Sequence, residues 1–184
     1  MYGGGGVYAT PGSALARSRG RCIWRRSRAR VEPVNGRDER WMAVAIREAE
    51  RAVAAGEVPI GAAIVQDDRL VAAAANAPIA ECDPTAHAEV LALRAAARAL
   101  GNYRLTRCDL YVTVEPCAMC IGAALQARIR TLVFGCLDPK AGAAGSLYNL
   151  ANDPRLNHRI AVVSGIEEKR CRQLLQAFFT ARRD

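Results

Sequence analysis

Large apolar side chains are few in this chain of 184 residues, because Leu, Ile, Val and Phe together account for only 41 of them, or 22%. That share lies just above the roughly 20% below which disorder is expected. The deficit is uneven, since residues 1–38 contain five of the 41. A hydrophobic core therefore has to come from residues 39–184, a length typical of one compact domain.

Long apolar runs and a disulfide framework are also missing. No segment reaches the ~18 to 20 consecutive apolar residues of a membrane span, and the first 30 residues lack the apolar block of a secretory signal. The seven cysteines are odd in number and mostly scattered, which is typical of a reducing compartment. These absences disfavour membrane insertion and secretion and favour a cytoplasmic location.

Acidic residues are absent from residues 1–31, which contain seven arginines. Residues 1–38 carry +6 of the total net charge of +8, so the remaining domain has an ordinary charge that does not by itself indicate nucleic-acid binding. We predict that residues 1–38 are a disordered, Arg-rich N-terminal extension. Three origins stay open: a start assigned too far upstream, an organelle transit peptide, or a basic arm that attracts RNA.

Helix and strand patterns alternate from Glu39 onward. Apolar spacing from Trp41 to Val53 predicts a helix that ends near Gly56. Strands are predicted over 60–66, 70–76, 110–114, 131–135 and 160–163, and further helices over 86–100, from 118, and over 167–182, with Asp83 or Thr85 as the N-cap of the second helix. This order predicts an α/β fold in which helices cover a mostly parallel sheet that its opening hairpin makes mixed.

Two short motifs stand where helices are predicted to begin. They are His87-Ala88-Glu89 and Pro116-Cys117-Ala118-Met119-Cys120. A Cys-x-x-Cys pair at a helix N-terminus favours the thiolate form that zinc binds. Together, His87, Cys117 and Cys120 would leave the fourth tetrahedral position to water, which is the arrangement of a catalytic zinc site.

Each motif alone has a simpler interpretation. A Cys-x-x-Cys pair also occurs in redox centres and in structural zinc sites, and an isolated His-x-Glu indicates little. A search for a fourth protein ligand finds only His158 and five other cysteines, none in a tight motif. Glu89 lies roughly 200° around a helix from His87, so we predict that it is the catalytic proton shuttle rather than a ligand.

The two motifs match the signature of zinc-dependent nucleobase deaminases. Further segments resemble the bacterial tRNA-specific adenosine deaminases, and the resemblance covers about residues 40–183. It departs at Leu137, where a polar residue is expected, and at Val114, which replaces a leucine. The resembling segments are 57–62, 83–89, 102–105, 111–116, 138–140, 142–146 and 157–159.

The resemblance implies a three-layer cytidine-deaminase-like fold, with a central mixed five-stranded sheet and helices on both faces. It also implies a homodimer with one Zn²⁺ per subunit. The implied reaction is hydrolytic deamination of adenosine to inosine at the wobble position (34) of tRNA, with arginine tRNA as the expected substrate and its anticodon stem-loop as the partner. In that reaction zinc activates a water for attack on C6, and Glu89 moves its proton.

The resemblance also assigns substrate contacts. Asn76 is expected to point into the base pocket, although an Asn that closes a strand is the simpler interpretation without the family. Val58 and Pro59 are expected to line the pocket, although an apolar run before a strand is usually part of the core, and Asp138 and Lys140 are expected to contact the anticodon loop. The backbone N–H near Ala88 is a candidate to stabilise developing charge on helix-terminus grounds alone. The predicted contacts are Asn76, Val58, Pro59, Ala88, Asp138 and Lys140.

Two other positions are interpreted differently. His158 is predicted to be structural. The end of the last helix, with Phe178, Phe179, Arg182 and Arg183, fits two interpretations equally: stacking on RNA, or closing the core and complementing the helix C-terminus.

Two alternative functions remain. A deaminase of free guanine, cytosine or cytidine would share the zinc motifs. A non-catalytic, zinc-stabilised RNA-binding subunit would lack the glutamate, and here Glu89 is present.

Overall fold

The computed structural model describes residues 36–182, so residues 1–35 of the predicted extension and Arg183 lie outside the described part. The predicted extension reaches too far at its end, because the first helix begins at Arg37 and Asp38 is buried. Within that part, four helices and five strands follow one another in the order the sequence patterns predict. They are α1 (Arg37–Ala54), β1 (Gly61–Gln66), β2 (Arg69–Ala75), α2 (Ala88–Leu100), β3 (Cys108–Val114), α3 (Ala118–Gln126), β4 (Thr131–Cys136), β5 (Ala161–Ser164) and α4 (Glu168–Thr180). None of these helices is long and apolar enough to cross a membrane.

The five strands form one mixed sheet in the order β2-β1-β3-β4-β5. The pairings of β1 with β2 and with β3 are antiparallel, and those of β3 with β4 and of β4 with β5 are parallel. The expectation of a mostly parallel sheet is therefore only half met. The physical reason is that the α2 crossover carries the chain from β2 past β1, so β3 pairs with a strand that runs opposite to it.

Helices cover both faces of this sheet, which confirms the predicted three-layer fold. One face packs against α1 and α4 around buried residues such as Met42, Ile46 and Tyr111. The other face packs against α2 and α3 around Leu93, Ile121 and Phe134. Burial of these side chains supplies the main driving force for folding.

The first helix lies very close to the sheet. A Cβ atom at Gly61 would fall 2.0 Å from the backbone oxygen of Ala45, so only glycine fits where β1 begins. The buried carboxylate of Asp38 accepts a hydrogen bond from the Tyr111 hydroxyl at 2.8 Å. Together these contacts fix α1 against β1 and β3.

The predicted N-cap of α2 is wrong. His87 is the N-cap residue, and no side chain hydrogen-bonds the helix start there. The Asp83 carboxylate instead accepts hydrogen bonds from the backbone N–H and the hydroxyl of Thr85, both at 2.7 Å. Asp83 and Thr85 thus close a turn ahead of the helix, and His87 remains free for another role. At the other end of α2, Gly101 is the C-cap residue and adopts φ +62°, a conformation that favours glycine.

Candidate metal centre and active site

The predicted site residues come together at one end of the sheet. β2 ends just before Asn76, and β3 leads through Pro116 into Cys117, the N-cap residue of α3. The backbone N–H of Asn76 donates to Ile60 at 2.9 Å, and that of Ala77 donates to Ala86 at 3.0 Å. These hydrogen bonds place the start of α2 beside the ends of β1 and β2.

The three predicted metal ligands form a compact triangle. The Sγ atoms of Cys117 and Cys120 lie 3.7 Å apart, and His87 Nδ1 lies 3.8 Å and 3.5 Å from them, respectively. With Zn–S bonds of about 2.3 Å and a Zn–N bond of about 2.0 Å, tetrahedral zinc needs about 3.8 Å between two sulfurs and about 3.6 Å between sulfur and nitrogen. The donor spacing therefore fits tetrahedral zinc.

The same triangle perturbs the acidity of its members. The pKa of the Cys117 thiol is lowered to about 3 by its hydrogen bonds, first with Cys120 and then with His87. The pKa of Cys120 is raised by the hydrogen bond with Cys117 and by burial, and that of His87 is raised chiefly by its hydrogen bond with Cys117. A bound divalent cation deprotonates coordinating thiols, so both sulfurs would bind a metal as thiolates.

Glu89 stands in the first turn of α2, beside this triangle. Its side chain is buried, with 3% of its surface exposed, and its Oε2 atom has no hydrogen-bond partner. Burial raises the pKa of its carboxyl group. An unsatisfied buried polar atom is costly, so this carboxylate is placed for a partner that arrives from outside the chain.

Asn76 shows the same feature. It is buried, with 5% of its surface exposed, and its Oδ1 atom lacks a partner. Among the residues described, the remaining buried side-chain atom of this kind is Glu39 Oε2, on a half-buried side chain of α1. Asn76 and Glu89 are thus the two fully buried residues with an open polar atom, and both lie at the metal end of the sheet.

The other predicted substrate contacts differ in exposure. Val58 is half-buried and Pro59 is buried, in the segment that leads to β1, and Ala88 is buried at the start of α2. Lys140 is exposed, in the loop that follows β4. Asp138 is half-buried, and its Oδ1 accepts the backbone N–H groups of Lys140 and Ala141 at 2.9 and 3.2 Å. One Asp138 oxygen therefore closes its own loop, and the predicted roles of all these residues stay predictions.

Two buried glutamates beside the site were not singled out from the sequence. Glu57 Oε1 accepts the backbone N–H groups of Ile79 and Ala80, both at 2.8 Å. Glu115 accepts hydrogen bonds from the loop that follows β4. One sequence feature could have indicated them: each is a single acidic residue in an otherwise apolar segment, one or two residues before a proline, as in Glu57-Val58-Pro59 and Glu115-Pro116.

His158 lies away from the ligands. Its Nε2 is 2.8 Å from the carbonyl oxygen of Ile129, which precedes β4 at the opposite end of the sheet. This contact agrees with the structural role predicted for His158. At the end of α4, Phe178 is buried, with the Arg182 guanidinium 4.3 Å from its ring centre, whereas Phe179 is 46% exposed.

Residues 35–136 match the family model of the cytidine and deoxycytidylate deaminase zinc-binding region. The tRNA-specific adenosine deaminase of Haemophilus influenzae is 47% identical over 148 residues, which cover 80% of this chain and 86% of that protein. The chain belongs to this deaminase family. The three predicted ligands and Glu89 all lie inside the matched zinc-binding region, which together with the donor spacing supports zinc as the metal.

Solved structures agree with this assignment. A structure from studies of A-to-I editing by tRNA:A34 deaminases at the wobble position superposes on the deaminase with a TM-score of 0.72. The two sequences are 43% identical, and the match covers 74% of this chain and 99% of the chain in that structure. The structure of a guanine deaminase from Nitrosomonas europaea matches with a TM-score of 0.65 and 26% identity. That match covers 77% of this chain and 84% of the chain in that structure. Both the fold and the resemblance to tRNA-specific deaminases are thus confirmed.

Proposed function

We propose that this deaminase converts adenosine to inosine by hydrolysis at the wobble position (34) of tRNA, with arginine tRNA as substrate. We further propose that it acts in the cytoplasm as a homodimer that holds one Zn²⁺ per subunit. The observation that carries the proposal is the buried Glu89 carboxyl group, whose Oε2 has no hydrogen-bond partner among the described residues, beside the triangle of His87, Cys117 and Cys120. Similarity to tRNA-specific adenosine deaminases selects the substrate.

The metal would be held by His87 Nδ1 and by the Sγ atoms of Cys117 and Cys120. A zinc ion there would act as a Lewis acid and lower the pKa of a water toward ~7. The protein supplies the rest of the chemistry. Ala86, Ala88 and Glu89, around the start of α2, are buried, and a low-dielectric surrounding strengthens electrostatic interactions.

Glu89 is placed to move protons. Its Oε2 takes a proton from the attacking water while the C6–O bond forms, and gives a proton to N1 of the base. It then takes the remaining proton from the new C6 hydroxyl group and gives it to the exocyclic nitrogen, so that the C6 carbonyl forms, the C6–N bond breaks and ammonia leaves. Burial raises the pKa of this carboxyl group, which brings its acidity closer to the neutral range where one group can serve as base and then as acid.

Two further groups would orient the base. The open Oδ1 of Asn76 accepts a hydrogen bond from an N–H donor of a ligand, and its amide can donate to an acceptor. The backbone N–H of Ala88 stands at the start of α2, where helix N–H groups stabilise negative charge. Val58 and Pro59, in the segment before β1, supply apolar contact surface. These groups bind and orient the base and leave the proton transfers to Glu89.

The RNA contacts are proposed for the loop after β4, residues 138–146. This loop begins directly at the end of β4, and its backbone joins the Cys117 turn. Lys140 is exposed there, which suits a phosphate contact, because phosphate contacts dominate RNA affinity. Asp138 closes the loop through its own backbone contacts and presents its second oxygen.

The test is inosine formation in an anticodon stem-loop of arginine tRNA with adenosine at the wobble position. Wild type, Glu89→Ala and Glu50→Ala are compared at equal zinc content; Glu50 is an exposed glutamate on α1. We expect conversion by wild type and Glu50→Ala and at least a ~10²-fold loss for Glu89→Ala, the scale of lost acid–base catalysis.

Other outcomes select the alternatives. Turnover of free guanine, cytosine or cytidine without conversion of the stem-loop would identify a deaminase of free bases or nucleosides. Bound zinc and RNA affinity with no ammonia release from any of these substrates would identify a non-catalytic RNA-binding subunit.

A further inference from the structure

Glu115 is a buried carboxylate that neither binds the metal nor reaches an open surface; 2% of the residue is exposed. Its Oε1 accepts the backbone N–H groups of Ala144 and Ser146 at 3.0 and 2.9 Å. Its Oε2 accepts the backbone N–H of Asp138 at 3.2 Å and the hydroxyl of Ser146. All four donors belong to the 138–146 loop and come from its two ends, so one carboxylate joins the start of the loop to its end.

The same loop is joined to the metal end of the sheet. The backbone N–H of Ala143 donates to Pro116 at 2.8 Å, and Gly142 forms an isolated antiparallel bridge with Cys117. A Cβ atom at Gly142 would lie 2.4 Å from Glu115 Cδ and 2.5 Å from the backbone oxygen of Asp138. The backbone therefore wraps directly over the carboxylate, and no other residue type fits at 142 without moving it.

The outer side of the loop faces solvent. Lys140, Ala141, Gly145 and Ser146 are exposed, while Gly142 and Ala143 are buried on the inner side. With four donors on its two oxygens, Glu115 has no acceptor position left for a ligand. Any effect of Glu115 on substrate must therefore pass through the loop.

We infer that Glu115 is a positioning residue for RNA: its carboxylate holds the 138–146 loop in the shape that presents Asp138 and Lys140 to the anticodon loop. This inference rests on the proposed function, which supplies the RNA. A loop this rich in glycine and alanine has little side-chain packing of its own, and ordering it on binding would reduce affinity. Pre-ordering by Glu115 removes that cost before RNA arrives.

The key variant is Glu115→Gln, which keeps the volume of the side chain. Glutamine has one acceptor oxygen and turns the second into an NH₂ donor, which would face N–H donors of the loop. Charge-assisted hydrogen bonds are worth more than neutral ones. We expect KM for the anticodon stem-loop to rise about tenfold, with kcat within about threefold of wild type and zinc content unchanged.

Hydrogen exchange gives a readout that needs no activity. The amides of Ala144 and Ser146 should lose protection in Glu115→Gln, while amides in β3 keep theirs. Ser146→Ala removes one of the four donors and should show the same change at smaller amplitude, so the test survives if Glu115→Gln folds poorly. Glu50→Gln, a charge-matched change at an exposed position, should alter neither exchange nor KM.

The outcomes are distinguishable. Unchanged loop protection in both Glu115→Gln and Ser146→Ala would overturn the inference, whether or not the stem-loop is a substrate. A loss of zinc and of kcat in proportion, at constant KM, would also overturn it and assign Glu115 to support of the metal ligands. Lost protection in a protein whose wild type does not convert the stem-loop would instead count against the proposed function, because the carboxylate would still hold the loop.

Discussion

The two ends of the sheet differ in whether their buried polar side chains have hydrogen-bond partners. At the end where β3 begins, the buried Asp109 carboxylate accepts hydrogen bonds from Arg37 at 3.0 Å and from Arg130 at 2.9 and 2.8 Å. At the end where β3 leads into α3, Asn76 Oδ1 and Glu89 Oε2 have no partner. Paired groups stabilise a fold, whereas unpaired ones cost stability and are retained where a ligand completes them.

A second contrast lies within the metal end itself. Glu57 and Glu115 are as buried as Glu89, yet each accepts backbone N–H groups from a neighbouring loop. Burial of a carboxylate is therefore not what distinguishes Glu89, the proposed catalytic residue, from the other two glutamates. The distinguishing feature is the open oxygen of Glu89, and the following predictions test that distinction in order of expected effect.

The largest effect is expected for Cys120→Ser. Removing a thiolate ligand should abolish tight zinc binding, and stem-loop deamination should fall by about 10³-fold or more, since the metal supplies the activated water. Zinc content by elemental analysis checks the first step and inosine formation the second. Cys82→Ser, at an exposed cysteine, should retain zinc; full activity of Cys120→Ser without metal would contradict the proposed ligand set.

Asn76→Ala should separate function from stability. Its Oδ1 makes no hydrogen bond in the protein, so the free energy of unfolding should change by less than about 1 kcal/mol. If Asn76 orients the base, kcat/KM should fall by roughly 10- to 100-fold. Urea denaturation and steady-state kinetics on the same preparation give both numbers. A variant that is strongly destabilised but fully active would show that Asn76 is structural.

Asp109→Asn should give the reverse pattern. An amide cannot replace the charge that binds both arginines, and because their side chains are partly exposed we expect a loss of about 1–2 kcal/mol in the free energy of unfolding. The kcat should stay within about twofold, since Asp109 lies at the far end of β3. A kcat that falls along with stability would mean that the two ends are coupled.

The smallest expected effect is the pH dependence of the difference in unfolding free energy between wild type and Asp109→Asn. Burial alone would raise the pKa of Asp109, but hydrogen bonds from Arg130 and Arg37 outweigh it and the pKa is lowered. A carboxyl group whose folded pKa lies below its unfolded value of about 3.9 stabilises the protein above that pH. The stability difference between wild type and Asp109→Asn should therefore be constant from pH 5 to 7 and shrink as pH falls below about 4. A difference that grows on acidification would contradict the ion-pair explanation.

The predicted elements agree with the structure to within a few residues, because apolar spacing and turn residues act locally. Examples are the helix predicted to end near Gly56, the opening hairpin of the strands predicted over 60–66 and 70–76, and the end of the helix predicted over 86–100. The wrong N-cap of α2 is instructive. Asp83 and Thr85 are both good capping residues, but they hydrogen-bond each other. A residue preference does not show which of several available groups a side chain will hydrogen-bond.

The two motifs also predicted that residues far apart in the sequence share one candidate site. His87 and Cys117 are separated by 29 intervening residues, so the prediction that they share a metal relied on the chemistry of the two motifs and on the family resemblance, and the fold places Nδ1 of His87 3.8 Å from Sγ of Cys117. Glu115 was not predicted. Its role depends on four hydrogen-bond donors that lie 23 to 31 residues further along the chain. A local sequence pattern does not predict such contacts.

By itself, the sequence determined the kinds of chemistry available: two thiols and an imidazole for a metal, a carboxylate for proton transfer, and alternating helix and strand segments to carry them. These follow from residue type and local periodicity. Only the tertiary structure decided which buried carboxylate is satisfied and which is open, because that depends on backbone N–H groups brought from distant segments. The difference between Glu115 and Glu89 is thus set by the fold, since hydrogen bonds form between neighbours in space.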